Sequence, residues 1–364
     1  MTSALQKPIL VMAGGTGGHV FPALAVAENL RQRGENIVWL GTRSGIEARV
    51  VPAANFAIEW LSVQGLRGKG VLALVIAPFR LLRACWQALR VLRRTRPKAV
   101  LGMGGFVSGP GGLMAWMLDI PLFLHEQNSI AGLTNRILSR LATRNYFAFP
   151  QAAEAVPRSE CIGNPVRAEL ADMGDPRARL QARIDAPLQL LVIGGSLGAA
   201  TLNRILPEAI ACLDRDQRPR VMHQCGEQHL QACEQNYASA GVEAQVVSFI
   251  EDMREAYAWA DLAICRAGAL TVAELSAAGL AAVLIPFPFA VDDHQYHNAR
   301  FLEQNDAAQI IVESELSAES LALKIKFFQQ NRAALVEMAL NARACFQPDA
   351  AERLANGILA GARS

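Results

Sequence analysis

A glycine-rich loop that ends in a histidine is the first feature of the chain able to do chemistry. The loop follows an apolar run, precedes a stretch of helical period, and consists of Gly14, Gly15, Thr16, Gly17, Gly18 and His19. Glycines let the backbone approach a ligand closely, and a helix N-terminus favours negative charge. A neutral imidazole at the end of such a loop can take a proton from an incoming hydroxyl. His19 is therefore a candidate general base, and the alternative is a histidine that only bonds the local backbone.

The same loop departs from the pattern that binds dinucleotides. Val20 stands where a third glycine is wanted, and the second apolar run ends at Gly41 and Thr42 without an acid for a ribose. We therefore expect neither NAD nor FAD, and no other cofactor. A dinucleotide enzyme remains the alternative from another class.

Polar groups also follow two further apolar runs of the first half. One run leads into the glycine-rich segment 102–110, and the other leads into His125, Glu126, Gln127 and Asn128. Side chains at carboxyl strand ends face the ligand-binding edge of a parallel sheet. Glu126 and Asn128 are candidates to bond sugar hydroxyls, and Glu126 competes with His19 as the base. The alternative is an Asn-Ser turn that caps the next helix.

The second half repeats this arrangement. Gly194, Gly195, Ser196, Leu197 and Gly198 follow an apolar run, and the segment 266–274 begins another helix beside them. Two helix N-termini directed at one ligand suit a diphosphate. Glu274 can accept hydrogen bonds from a ribose diol, and the alternative is an acid that stabilises its own helix dipole.

No metal site is expected. Asp214, Arg215 and Asp216 have the D-x-D spacing of metal-dependent glycosyltransferases, but they precede the run 221–223 and so belong at the amino end of the sheet. His294 and His297 lack a supporting cluster of ligands. The seven cysteines have no C-x-x-C spacing, which argues against zinc and against a disulfide framework.

A basic segment favours an anionic partner. Residues 60–118 contain nine Lys or Arg and no acid. On the helix predicted around residues 79–94, Leu81, Cys85, Ala88 and Leu92 share a face that can pack on the sheet. Phe79, Leu82 and Trp86 lie beside Arg80 and Arg83, as in an interfacial membrane contact. The alternative is a buried helix with solvated arginines; nucleic acid is not expected, since no reader motif is present.

These residues must be held by parallel sheets. Eight short apolar runs alternate with helical stretches, which indicates βαβ units: Ile9–Ala13, Ile37–Leu40, Ala99–Leu101, Leu122–Leu124, Leu188–Ile193, Val221–His223, Leu262–Cys265 and Ala281–Ile285. The pattern restarts after residue 187, which predicts two Rossmann-like domains, 1–167 and 168–346, with a helix around 347–364 packing back on the first. Ligands are then expected in a cleft between the domains. The alternative is one large open sheet. No apolar run is long enough to span a bilayer, and the N-terminus lacks the regions of a secretory signal.

The ordered set of motifs resembles the MurG family of glycosyltransferases. The resemblance covers nearly the whole chain and rests on Gly14–His19, Gly102–Gly112, His125–Asn135, Gly163–Arg167, Gly194–Ala199 and Arg266–Glu274. It implies a GT-B fold and an enzyme that transfers N-acetylglucosamine from UDP-N-acetylglucosamine to lipid I, giving lipid II. It also implies a peripheral protein at the cytoplasmic face of the bacterial inner membrane, with an anionic membrane surface and other cell-wall synthesis proteins as partners.

The resemblance also implies roles for individual residues. Arg167 and Ser196 would contact the donor diphosphate, Ile250 the uracil, Glu274 the ribose, and Gln295 and Asn128 the N-acetylglucosamine. The other residues expected at the UDP-sugar are Thr16, Gly17, Gly18, Ala269, Leu270, Thr271, Val272 and Ala273. Those expected at the acceptor are Gly14, Gly15, Gly104, Gly105, Ser108 and His125. Those expected at the membrane are Phe79, Arg80, Leu82, Arg83, Trp86 and Trp116.

The chain departs from the family pattern at one position, and two other functions remain as alternatives. The family often has two adjacent glutamines where this chain has His294 and Gln295, so only Gln295 carries its role over. A UDP-sugar 2-epimerase of the same fold would lack the apolar and basic helix face. A non-catalytic membrane adaptor would bind the nucleotide sugar without turnover.

Overall fold

The computed structural model describes residues 7–62, 70–154, 156–195 and 198–362. They form two compact units. The first comprises Met1–Arg167 together with Asp349–Ser364, and the second comprises Ala168–Pro348.

The first unit is built on a parallel sheet of seven strands in the order β3-β2-β1-β4-β5-β6-β7. The strands are β1 Ile9–Met12, β2 Ile37–Gly41, β3 Ala57–Trp60, β4 Ala99–Gly102, β5 Leu122–Glu126, β6 Arg144–Phe147 and β7 Ser159–Cys161. Its helices are α1 Gly17–Gln32, α2 Glu47–Ala53, α3 Gly70–Thr95, α4 Ser108–Met117, α5 Leu133–Leu138, α6 Pro150–Glu154 and α16 Ala350–Gly361.

Helices cover both faces of this sheet, so its central strands are apolar throughout. Ile9 and Val11 of β1 pack on one face, in a core that includes residues of α1 and α16. Leu10 and Met12 pack on the opposite face, in a core that includes residues of α3 and α4. All four β1 side chains are fully buried, which explains why the run does not alternate between apolar and polar residues.

The second unit has a parallel sheet of six strands in the order β10-β9-β8-β11-β12-β13. The strands are β8 Gln189–Ile193, β9 Arg220–Gln224, β10 Gln245–Val247, β11 Leu262–Cys265, β12 Ala281–Leu284 and β13 Ala308–Ile310. The helices are α7 Ala168–Ala171, α8 Pro176–Gln181, α9 Ala200–Ala211, α10 Leu230–Ser239, α11 Met253–Trp259, α12 Ala269–Ala278, α13 His294–Glu303, α14 Ala318–Gln330 and α15 Arg332–Ala344.

Two parallel, doubly wound sheets confirm the predicted fold class. Each of the eight apolar runs overlaps a strand. In the first unit the glycine-rich loops follow the neighbouring strands β1 and β4. In the second unit the glycine-rich loop follows β8, and the Arg266–Gly268 loop follows its neighbour β11. Because carboxyl ends of parallel strands share an edge, each unit collects its loops at one edge of its sheet.

Candidate functional site

Three loops meet at the carboxyl edge of the first sheet, where β4 lies between β1 and β5. The β1 loop supplies His19 in the first turn of α1, and Gln127 follows β5. His19 Nδ1 lies 2.9 Å from Gln127 Oε1, although the residues are 108 positions apart. The half-buried His19 ring is therefore held from a neighbouring loop and not only by its own helix.

The glycines of the β4 loop make this approach possible. A Cβ on Gly104 would lie 2.7 Å from His19 Nδ1, and one on Gly105 would lie 2.3 Å from the carbonyl oxygen of Gly14. Both glycines have positive φ, 95° and 81°, which side chains disfavour. In this structure they give room to His19 and to the Gly14 backbone.

Two residues predicted at the acceptor, Ser108 and His125, are fully buried. The Ser108 hydroxyl donates to the carbonyl oxygen of Gly104 at 2.8 Å. His125 Nε2 lies 3.0 Å from the carbonyl oxygen of Gly163, and burial lowers its pKa to about 4. Neither side chain reaches the surface, and both hold loops of the site from within the unit.

Glu126, the competing candidate base, is held by four donors. Its Oε1 accepts from the backbone N–H and the side-chain amide of Asn128, at 3.0 and 3.2 Å. Its Oε2 accepts from the Gly132 N–H at 3.1 Å and from Asn135 Nδ2 at 2.8 Å. A carboxylate has about four acceptor positions, so these four hydrogen bonds occupy about as many as it has. The buried Glu126 side chain therefore organises the loop after β5 in this structure.

Glu47, which the sequence did not single out, organises the β1 loop. Its side chain is fully buried. The carboxylate accepts from the Gly15 N–H at 2.9 Å, from the Thr42 N–H at 2.9 Å and from the Thr42 hydroxyl at 2.7 Å. It ties the His19 loop to the end of β2. The only trace in the sequence is the cluster of nearby glycines, since a Cβ on Gly14 or Gly45 would lie 2.6 or 2.0 Å from a Glu47 oxygen.

In the second unit, Glu274 lies in α12, which begins at Ala269 directly after β11 and its Arg266–Gly268 loop. The side chain is 7% exposed, and Glu274 Oε2 accepts from the hydroxyl of the fully buried Tyr257 at 3.0 Å. Tyr257 is a second residue that the sequence reading missed. Along the start of α12, Leu270, Thr271 and Ala273 are half-buried, whereas Ala269 and Val272 are buried.

An ion pair braces the neighbouring loops of this unit. The Arg266 guanidinium lies 2.5 Å from Glu313 and donates to the carbonyl oxygens of Ile285 and Pro286, the residues that follow β12. Glu313 also accepts from the Thr201 hydroxyl in α9 at 2.9 Å. The ends of β11 and β12 and the start of α9 are thereby joined at one edge of the sheet.

The exposed face of α3 carries large apolar side chains. Phe79 is 71% exposed, Leu82 67% and Trp86 55%, and Trp116 at the end of α4 is 48% exposed. Arg80 and Arg83 are exposed beside them, and the Arg90 guanidinium lies 4.7 Å from the Trp86 ring centre.

The prediction that Leu81 packs on the sheet was wrong. Leu81 is 52% exposed, while Ala84, Ala88 and Leu92 are buried. The core on this face takes Ala88, Val91 and Leu92 from α3. Among the side chains of α3 that the structure describes, those that pack there lie in the C-terminal half of the helix. Among the described residues, no helix combines the length and apolarity needed to cross a bilayer.

No group of three or more His, Cys, Asp or Glu able to hold a metal ion occurs within the described part of the chain. The D-x-D triplet overlaps a short 3₁₀ helix, Arg215–Gln217, that precedes β9. It therefore lies at the amino end of that strand, opposite the edge that carries the glycine-rich loops.

Comparison with known proteins identifies the family. Residues 9–147 match the glycosyltransferase family 28 N-terminal domain, and residues 189–354 match the glycosyltransferase family 28 C-terminal domain. A protein of Alkalilimnicola ehrlichii is 54% identical over 99% of this chain and 100% of its own length. A protein of Dechloromonas aromatica is 50% identical over 96% of this chain and 98% of its own length. Both are named UDP-N-acetylglucosamine--N-acetylmuramyl-(pentapeptide) pyrophosphoryl-undecaprenol N-acetylglucosamine transferase.

A solved structure agrees with these relatives. The crystal structure of Acinetobacter baumannii MurG is 43% identical, covers 97% of this chain and 99% of that one, and superposes with a TM-score of 0.82. The chain belongs to the MurG group of glycosyltransferase family 28. Its fold class is GT-B, with two Rossmann-like α/β domains.

The remaining residues that the MurG resemblance assigned to the donor differ in their burial and contacts. Ile250 is buried, and Arg167 is half-buried at the end of the first unit. Gln295 Oε1 accepts from the Phe287 N–H at 3.0 Å, which orients its amide. Thr16 is exposed, and Gly17 and Gly18 begin α1. Ser196 lies outside the described residues.

Proposed function

We propose that this chain transfers N-acetylglucosamine from UDP-N-acetylglucosamine to the C4 hydroxyl of the muramyl sugar of lipid I, giving lipid II. The observation that carries the proposal is the 50–54% identity, over nearly the full length of both chains, to relatives that bear this transferase's name. The relatives favour neither the 2-epimerase nor the non-catalytic adaptor.

The reaction on this proposal is a single displacement with inversion. His19 Nε2 takes the proton of the acceptor's C4 hydroxyl while that oxygen attacks the anomeric carbon. The bond from the anomeric carbon to the diphosphate oxygen breaks, and UDP leaves with the electron pair. The assignment of His19 is supported by the hydrogen bond that holds its Nδ1 on Gln127. It is also supported by the four donors that occupy the alternative base, Glu126.

We assign the donor mainly to residues of the second unit. Glu274 takes the ribose hydroxyls, a role supported by the hydrogen bond through which Tyr257 orients one carboxylate oxygen. Ile250 meets the uracil and Gln295 the sugar. The N-terminus of α12, together with Arg167 and Ser196, stabilises the charge that develops on the diphosphate.

We propose that this leaving-group stabilisation needs no divalent cation. Support comes from the D-x-D triplet at the amino end of β9, away from the strand ends where ligands of α/β sheets bind. The charge on the departing diphosphate is then met by Arg167 and helix N-termini.

We propose further that the exposed face of α3 docks on the anionic surface of the bacterial inner membrane, on the cytoplasmic side. Phe79, Leu82 and Trp86 are more than half exposed, and arginines flank them. Large apolar side chains beside basic residues bind an anionic interface through both apolar burial and charge attraction.

One assay tests the activity and the base together. The protein is incubated with labelled UDP-N-acetylglucosamine and a lipid I analogue, and the disaccharide product is measured. Turnover of UDP-N-acetylglucosamine to its 2-epimer, or binding without turnover, would contradict the proposal. His19→Ala should lower kcat by about 10²–10⁴-fold, while the Kd for UDP-N-acetylglucosamine, measured separately, changes little.

His19→Gln is the matched control, because the glutamine amide keeps polarity at the position but cannot serve as a base. It should fail as His19→Ala does. Near-normal turnover of His19→Gln would contradict the role of His19 and would make Glu126 the residue to test.

A further inference from the structure

We propose that Gln127 and His125 are positioning residues that fix the neutral His19 ring with its proton on Nδ1, through a continuous chain of hydrogen bonds ending at the carbonyl oxygen of Gly163. The inference rests on the proposed role of His19 as the base. Each link of the chain has only one chemically consistent arrangement.

The orientation of the Gln127 amide is decided at its buried end. One terminal atom lies 3.3 Å from the carbonyl oxygen of His125 and 3.2 Å from His125 Nδ1. A carbonyl oxygen only accepts hydrogen bonds, so the atom beside it must be the amide nitrogen. The Gln127 atom that faces His19 is then the amide oxygen.

The tautomer of His125 agrees with that orientation. Its Nε2 lies 3.0 Å from the carbonyl oxygen of Gly163, which again can only accept, so Nε2 carries a proton. Burial lowers the pKa of His125 to about 4, so the ring is neutral at physiological pH. A neutral ring has one acceptor nitrogen, and Nδ1 accepts from the Gln127 amide.

The last link determines the tautomer of His19. Gln127 Oε1 lies 2.9 Å from His19 Nδ1, and an amide oxygen cannot donate. The Nδ1 atom must therefore carry a proton, which leaves the lone pair of the neutral ring on Nε2. A free neutral imidazole populates both tautomers and favours the Nε2–H form, which could not accept a proton at Nε2. The chain thus keeps the ring in the form that the proposed base requires.

The surrounding backbone holds the chain in place. Asn164 Nδ2 donates to the backbone carbonyl oxygen of Gln127 at 3.0 Å. Gly104 lies so close to the His19 ring that a Cβ there would be 2.8 Å from Cε1. The Gln127 side chain is 1% exposed and His125 is fully buried, so water competes little for these bonds.

The tautomer of His19 is measurable without any turnover. In ¹⁵N NMR spectra of the whole protein labelled at histidine, and assigned with His19→Gln, the His19 signals of the neutral ring should be those of the Nδ1–H form. In Gln127→Met, which has a similar shape but neither accepts nor donates here, they should shift toward the Nε2–H form. An Nε2–H ring in the wild-type protein would overturn the inference whatever the activity is.

The pH dependence of kcat separates positioning from folding. Gln127→Met should lower kcat by about 10²-fold, the scale on which misplacement of a reacting group acts, with little change in the Kd for UDP-N-acetylglucosamine. Gln127→Glu places a carboxylate against Nδ1–H, which stabilises the imidazolium. The acid limb of the kcat profile should therefore move up by about one pH unit or more.

Asn145→Leu is the matched control. Asn145 is also a buried amide of the first unit, and it donates to the carbonyl oxygens of Ser139 and Pro157. Its replacement should lower stability without moving the acid limb. If Gln127→Glu leaves the limb where it is while the wild-type protein remains an active transferase dependent on His19, the inference fails and the proposed function stands. If His19→Gln is active, the proposed base fails, whatever tautomer the spectrum shows.

Discussion

Glu47 should contribute strongly to the stability of the first unit, and Glu47→Ala tests this. The replacement removes the acceptor of three hydrogen bonds. The Gly15 N–H can turn to water because Gly15 is exposed. Thr42 is 8% exposed, so its N–H and hydroxyl would be left buried without their acceptor.

The expected loss follows from those two buried bonds. Hydrogen bonds to a charged group contribute roughly 1.5–3 kcal/mol each, and an orphaned buried donor bears a similar penalty. Glu47→Ala should therefore reduce the free energy of unfolding of the first unit by about 3–6 kcal/mol. The exposed Gly15 adds little to this figure.

A double-mutant cycle with Gly45→Ala makes the test specific. A Cβ on Gly45 would lie 2.0 Å from Glu47 Oε2, an overlap that should cost about 1–3 kcal/mol. With alanine at position 47 the overlap disappears, so the double variant should be more stable than the sum of the single losses predicts. Urea unfolding followed by tryptophan fluorescence suits the assay, because Trp39, Trp60, Trp86 and Trp116 lie in the first unit and only Trp259 in the second.

A background with Trp259→Phe confines the fluorescence signal to the first unit. The reasoning is refuted if the free energy of unfolding of Glu47→Ala differs from that of the parent by less than about 0.5 kcal/mol, the range of ordinary surface substitutions. It is refuted as well if the two substitutions are additive, because the structure requires that they share one contact.

Four further predictions concern ligands, lipid, metal and pH. Glu274→Ala should weaken UDP-sugar binding by roughly 1–3 kcal/mol without unfolding the protein; equal binding of UDP and 2′,3′-dideoxy-UDP by the wild type would contradict the ribose assignment. Charge reversal at Arg80 and Arg83 should reduce binding to anionic vesicles, most at low salt, and unchanged sedimentation with vesicles would contradict the docking surface. A chelator should leave turnover nearly intact, whereas a collapse restored by Mn²⁺ or Mg²⁺ would refute the leaving-group proposal. Burial lowers the pKa of His125 to about 4, so between pH 6.5 and 4 the unfolded chain binds a proton that the folded chain does not. The stability that this histidine contributes is full above about pH 6.5 and should fall by up to roughly 3 kcal/mol as the pH approaches 4. His125→Asn should flatten this pH dependence of the free energy of unfolding, measured by urea melts.

The fold could be predicted wherever strands are buried on both faces. Each of the eight apolar runs proved to be a strand, because a strand covered by helices on both sides is apolar throughout. Five strands were not predicted from the sequence. Of these, β3, β7, β10 and β13 form the four edges of the two sheets, and β6 lies next to an edge strand. Residues of β3, β7 and β10 are exposed or half-buried. Edge positions do not require continuous apolar residues, so the pattern that identifies central strands is absent there.

The loops of the site could also be predicted, since each is a glycine-rich or polar segment that follows an apolar run. The partners that orient the candidate residues could not. Gln127 meets His19 across 108 positions, and Tyr257 meets Glu274 across 17. Such contacts depend on which strands are neighbours in the sheet and on the angle at which each loop leaves its strand. The local pattern of apolar and polar residues predicts neither the strand order nor the angle of the loop.

The glycines nevertheless carry part of that information. Gly14, Gly41 and Gly45 all lack positive φ, so conformational freedom does not explain them. What they share is Glu47, whose side chain occupies the space that a Cβ on each would need, at 2.6, 2.8 and 2.0 Å. Gly104 combines both constraints, with positive φ and the His19 ring at 2.7 Å. A glycine beside a strand end can therefore mark a buried polar side chain that approaches from another segment. In this chain such glycines surround both the candidate base and the carboxylate that holds its loop.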